Sequence, residues 1–116
     1  MGLLGRIISS FSKGPAIQNL TNFDMVIQMK DGGILLPIVC SKHLDQSDEV
    51  FQLFKEKVTN YVAMTELDEF KIDFPRRDYI LIEANCVKKP DNRILNEIQT
   101  LNKELESKGI KITWKS

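Results

Sequence analysis

At 116 residues and 13.3 kDa the chain is the length of one domain, enough to bury about two-thirds of its unfolded surface without metal or crosslinks. Apolar residues at 42% and charged residues at 28%, with six Gly and four Pro, are ordinary globular proportions and exclude a disordered, collagen-like or disulfide-dense chain. Sixteen basic and sixteen acidic side chains cancel, which argues against a general nucleic-acid coat, and no apolar run approaches the roughly 20 residues of a membrane-spanning helix.

Residues 3–11 place Leu3, Leu4, Ile7, Ile8 and Phe11 within about 140° of arc on a helical wheel, so residues 1–14 read as a short amphipathic helix ended by Gly14-Pro15. Such a segment could cover its own domain, dock on a partner or lie on a membrane; only Arg6 and Lys13 would help the last. Residues 22–116 read as a single α+β domain. From Phe23 the period is two, with Phe23, Met25, Ile27 and Met29 on one face and Asp24, Val26, Gln28 and Lys30 on the other. Asp31-Gly32-Gly33 supplies the hairpin turn, and Ile34–Cys40 returns as a second strand. Pro37 has no N–H for a ladder, so this strand is an edge there or carries a bulge.

Ser47 is the N-cap of a helix that runs to about Met64, with Asp48 and Glu49 suiting its positive end and Val50, Leu53, Phe54, Val58, Tyr61 and Val62 as its buried stripe. Phe70, Ile72 and Phe74 alternate as a short strand, broken by Pro75-Arg76-Arg77-Asp78. Tyr79–Val87 is a strand with Ile80, Ile82, Ala84 and Cys86 on one face. Asp91 caps a second helix with the stripe Ile94, Ile98, Leu101 and Leu105, Gly109 takes its C′ position, and Ile110–Trp114 closes the chain as a strand. The order is a short helix, then β-β-α-(β)-β-α-β. It predicts a mixed sheet of four or five strands with two helices on one face, the other face being solvated or covered by the N-terminal helix.

Charge is distributed unevenly. Residues 1–44 carry four bases and two acids, residues 45–73 three bases and eight acids, and residues 74–116 nine bases and six acids. The acidic middle segment is the feature most suited to steering a basic partner, with Asp45, Asp48, Glu49, Glu66, Asp68 and Glu69 as candidate contacts. Cys40 and Cys86 each end an apolar run, lack C-x-x-C spacing and follow no secretory signal, so both read as reduced, buried cysteines of a cytoplasmic protein.

Catalytic chemistry has little to build on. His43, the only histidine, lies near Asp45 and Ser47 after the second strand, but those residues are better used in opening the helix. No catalytic residue, cofactor-binding residue or metal ligand is assigned: there is no nucleophile elbow, phosphate loop or metal-ligand spacing. The dibasic pairs Arg76-Arg77 and Lys88-Lys89 fall short of a phosphate-binding stripe and read as solvated loop ends.

The stretch Ser41-Lys42-His43-Leu44-Asp45-Gln46-Ser47-Asp48-Glu49 between hairpin and helix resembles a small bacterial family of unknown function. Lys57-Val58, Tyr61, Pro75, the Tyr79–Val87 strand, Pro90 and Gly109-Ile110 follow in the same order, so the resemblance covers about residues 22–115. It implies a bacterial cytoplasmic origin and this strand–helix order, and carries no activity to transfer. The leading expectation is a non-catalytic protein-binding module, in concrete form an immunity- or antitoxin-like protein whose acidic surface neutralises a basic partner. The alternatives are a small-ligand binder or enzyme around His43 and Asp45, and a membrane- or complex-tethered protein using residues 3–11. A homodimer through an exposed sheet edge at residues 70–74 is a further expectation.

Overall fold

The turn at Asp31–Gly33 starts the architecture. Gly32 sits at φ +97°, its N–H donates to Met29 O (3.1 Å), and the Met29 N–H donates to Gly33 O (2.8 Å). A Cβ at Gly33 would run into the Tyr79 ring, whose hydroxyl donates to the Asp31 carboxylate at 2.9 Å. The computed structural model describes residues 15–116, and the expected helix over 1–14 lies outside them. In chain order the elements are β1 (Ile27–Gln28), β2 (Ile34–Val39), α1 (Asp48–Thr65), α2 (Asp68–Asp73), β3 (Ile80–Asn85), α3 (Asn92–Leu105), a 3-10 turn at Glu106–Lys108, and β4 (Ile110–Lys115). The fold is α+β, with a four-stranded mixed sheet and three helices among the described residues.

The sheet runs β1-β2-β3-β4, antiparallel between β1 and β2 and parallel from β2 to β4. Both crossovers step the same way, so right-handed connections put α1 and α3 on one face. Ile34, Leu36 and Ile38 of β2, Ile80, Ile82 and Ala84 of β3, and Ile110 and Ile112 of β4 all point to that face and are buried. They meet Val50, Phe54, Val58 and Tyr61 of α1 and Ile94, Ile98 and Leu105 of α3 in one core, which Ala16 and Ile17 also join.

Two sequence expectations are corrected. Residues 70–74 are not a strand: Asp68–Asp73 form a helix. Phe70 and Phe74 satisfy helical i, i+4 spacing as well as alternation, and as helix neighbours their rings lie 5.0 Å apart, with Phe23 against Phe70 at 5.6 Å. Ile72, which a strand would have faced inward with them, is 76% exposed. The first strand is also cut to Ile27–Gln28, and Met25 and Met29 are exposed while Val26 packs on the core.

The reason for the short β1 lies at Pro37. Its nitrogen faces the β1 side, where no ladder bond can form, and side chains take over. Tyr61 donates its hydroxyl to Pro37 O (3.0 Å) and accepts from the Asp24 N–H (2.9 Å), while Asp24 Oδ2 accepts from the Val39 N–H (2.8 Å). Beyond Val39, the Ser41 N–H donates to Ala16 O (2.8 Å) and Ile17 bridges Cys40 antiparallel. Thus Pro37 lies in an inner strand of the sheet but at a local edge. Burial pushes the Tyr61 phenol well above its ordinary range, and the Asp24 charge adds to this.

Lys57 completes this side. It is fully buried, and its Nζ donates to Gln18 O (2.8 Å), Asn19 O (2.7 Å), Asn22 O (3.2 Å) and Asp24 Oδ1 (2.9 Å). Asn19 takes φ +53° to turn its carbonyl inward, and Asn60 Nδ2 holds Leu20 O at 2.8 Å. At the opposite edge, Asn102 of α3 pairs with β4 as a strand would: its Nδ2 donates to Ile112 O (2.9 Å) and its Oδ1 accepts from the Ile112 N–H (2.7 Å).

Lys57→Met strands a buried carboxylate and three carbonyls. It is expected to cost about 3–5 kcal/mol, read by urea unfolding against wild type. Asn102→Ala is expected to cost about 1–2 kcal/mol and to add concentration-dependent self-association through the bared β4 edge, read by sedimentation velocity.

Candidate functional site

Two places qualify for attention: the carboxyl ends of the parallel strands, where ligands bind in open α/β sheets, and the acidic segment 45–73. At the strand ends, the loop after β2 and the loop after β3 are clamped together. The Asp91 N–H donates to Leu44 O (3.0 Å), and His43 Nε2 lies 3.0 Å from Asp91 Oδ1. Arg93 reaches back to Asp48 Oδ1 (2.6 Å) and Gln46 O (3.2 Å) with its guanidinium 4.1 Å above the Phe51 ring.

The partner of His43 is therefore Asp91, from the next loop, rather than Asp45. Asp91 stands at the N-cap position of α3, yet its side chain caps nothing and is committed to the histidine. Asp45 instead turns onto Ser47, accepting from its N–H at 2.9 Å, and these Ser47 contacts hold its carboxyl below the ordinary range. Both nearby hydroxyls are in structural use. Ser47 Oγ accepts from the Val50 N–H (3.2 Å) as the N-cap of α1, and Ser41 donates to Pro15 O (2.9 Å). Neither His43 Nδ1 nor Asn85 Oδ1, both buried atoms, meets a hydrogen-bond partner among the described residues. As it stands this cluster is a brace between loops. Among the described residues no group of three or more His, Cys, Asp or Glu is placed to hold a metal, and no helix is long and apolar enough to cross a membrane.

The acidic segment does not form one patch. Asp45, Asp48 and Glu49 sit at the start of α1, and Glu66, Asp68 and Glu69 follow its far end, an 18-residue helix or about 27 Å away. Asp48 is paired with Arg93, and Glu66 with Lys108 at 2.6 Å, the latter holding the Glu66 carboxyl below its ordinary range. Glu49, Asp68 and Glu69 have no ion pair among the described residues. Asp68 and Glu69 open α2, the crossover corner that also exposes Leu67 (54%) and Ile72 (76%).

The dibasic pairs divide in the same way. Arg77 caps the carboxyl end of α2 by donating to Phe74 O (2.6 Å) and Lys71 O (3.3 Å), and Arg76 bonds Asp78 and Asp31 O beside the hairpin. Lys88 and Lys89 are exposed in the loop after β3. Sequence reasoning missed the role of Lys57, although a signal was present. At i+3 from Phe54 and i+7 from Val50, it stands in the apolar stripe of α1, where a charge must find partners. No family model, curated protein or solved structure matches the chain. The family resemblance therefore stands on its sequence landmarks alone.

Asp91→Ala leaves His43 Nε2–H unpaired and is expected to cost about 1–2 kcal/mol in urea unfolding while the parallel strands stay intact by circular dichroism. Acid should also destabilise the fold. Asp31, Asp45 and Glu66 have lowered folded values, so the unfolded chain binds protons first and their contribution, present at neutral pH, is lost as pH falls through those values. The combined Asp31→Asn, Asp45→Asn and Glu66→Gln variant is expected to flatten the dependence of unfolding free energy on pH below about pH 5.

Proposed function

We propose that this chain is a non-catalytic protein-binding module that recognises a partner with a basic surface, and that the contact is made by the α2 corner. The observation that carries this reading is the composition of that corner. Asp68 and Glu69 carry no ion pair among the described residues, and they lie between Leu67 and Ile72, two large apolar side chains left in solvent. Unneutralised charge steers a partner over about a Debye length, while exposed apolar side chains give the contact its anchors once solvent is expelled.

In its concrete form the module is an immunity- or antitoxin-like neutraliser of a basic effector, working in the bacterial cytoplasm that the family resemblance implies. The cluster at the start of α1 contributes less in this reading, because Asp45 is bound to Ser47 and Asp48 to Arg93. A second reading, a small-ligand site around His43 and Asp45, draws on the two buried polar atoms without partners, His43 Nδ1 and Asn85 Oδ1. Tethering through residues 3–11 concerns a segment outside the described residues.

The test is capture of the partner from the native host followed by association kinetics. Asp68→Lys with Glu69→Lys is expected to slow association about tenfold at low salt, Ile72→Ser to speed dissociation, and Glu49→Lys at the far end of α1 to change little. An on-rate indifferent to salt, or untouched by reversal at positions 68 and 69, overturns the proposal.

A further inference from the structure

Cys40 and Cys86 stand opposite each other on neighbouring strands. The β2–β3 register ends at Val39 opposite Asn85, and each cysteine is the next residue on its strand. The ladder continues through them, with the Cys40 N–H on Asn85 O (3.1 Å) and the Cys86 N–H on Lys115 O (2.8 Å). By alternation both side chains share the core face with Ile38 and Ala84, and both are buried and free. Neighbouring strands bring opposed Cα atoms to about 4.8 Å, inside the roughly 4.4–6.8 Å that a disulfide spans.

We propose that Cys40 and Cys86 are a two-thiol oxidation site, which a hydroperoxide converts into a cross-strand disulfide joining the ends of β2 and β3. Cys86 is the attacking sulfur. It is the less covered of the two, 9% exposed against 5%, and Cys40 sits between Cys86 and the segment that includes Ile17. Each thiol donates to the carbonyl two residues back on its own strand, Cys40 Sγ to Ile38 O (3.7 Å) and Cys86 Sγ to Ala84 O (3.5 Å). The neighbouring Cys40 thiol holds Cys86 below the ordinary thiol range, while Cys86 and burial push Cys40 far above it.

In the first step the Cys86 thiolate attacks one peroxide oxygen. A sulfur–oxygen bond forms, the O–O bond breaks, and the leaving oxygen departs as water once protonated. In the second, Cys40 sulfur attacks the Cys86 sulfenic sulfur, the S–S bond forms, the S–O bond breaks, and the departing hydroxide takes the Cys40 proton as water. Two thiols and one hydrogen peroxide become one disulfide and two waters, the peroxide being reduced by two electrons. The new bond fastens the loop after β2 to the loop after β3, the two loops that His43 and Asp91 already clamp. This inference is independent of the α2 docking surface.

The experiment treats the folded full-length chain with hydrogen peroxide, blocks remaining thiols with N-ethylmaleimide in denaturant, and reads mass and peptide map. The expected product is a monomer lighter by two hydrogens, unlabelled, with Cys40 linked to Cys86 and restored by dithiothreitol. Cys40→Ser is expected to leave a sulfenic acid on Cys86 that dimedone traps, and Cys86→Ser to lose thiol at least about tenfold more slowly than wild type. Two fully labelled thiols after treatment, or disulfide-linked dimers as the main product, overturn the site. Dimedone on Cys40 at the wild-type rate in Cys86→Ser overturns the assignment of the attacking sulfur.

Discussion

One buried ammonium group sets the shape of half of this molecule. Lys57 brings its charge into the core on α1 and meets it with four oxygens from residues 18 to 24. Taking an ion out of water costs several kcal/mol, and only dense hydrogen bonding offsets that cost. The loop that supplies those oxygens therefore has one place to be. Its Asp24 is fixed against Val39, its Phe23 is set 4.9 Å from Tyr61, and the open side of β2 beside Pro37 is closed by side chains where β1 stops short. The other edge is treated similarly by Asn102, whose amide stands in for a neighbouring strand at Ile112. The open stretch of β2 and the Ile112 position of β4 are thus satisfied within the chain.

Much of the architecture was legible in the residues. The Asp31-Gly32-Gly33 turn, the Ser47 cap, the stripes of α1 and α3, and Gly109 at φ +69° after the second long helix all work as their local chemistry dictates. Cysteines at the ends of apolar runs are indeed buried and free. Residues 70–74 were misread because a short apolar pattern fits two periods. Phe70 and Phe74 serve a strand or a helix equally well, and only the third residue, Ile72, distinguishes them; the helix leaves it in solvent. The expected first strand failed for a different reason. Its alternation holds neither at Met25 and Met29, which are exposed, nor at Val26, which packs on the core: Pro37 on the partner strand removes a ladder donor, and Asp24 is drawn to Lys57 and Val39 instead.

The candidate sites were less legible than the fold, because charge in sequence says nothing about pairing in space. Asp45, Asp48 and Glu49 look continuous with Glu66, Asp68 and Glu69 until an 18-residue helix is laid between them. His43 is nearest in sequence to Asp45, yet the parallel topology brings Asp91 to it from 48 residues away. The same topology aligns Cys40 with Cys86, a juxtaposition that sequence spacing cannot express. Residues that the fold uses as braces and residues left for recognition carry the same letters. What separates them is whether another part of the chain reaches them.

The claim that Lys57 holds the 18–24 loop as a substitute strand is tested most directly by native-state amide hydrogen exchange. The Asp24 and Val39 amides, bonded to Tyr61 and Asp24 side chains, are expected to exchange only in the global unfolding reaction, with protection equal to that of the β2 and β3 core amides. If those two amides exchange at the rate of an open loop while core protection at Leu36 and Ile82 is retained, the loop is not held and the account of this fold is wrong.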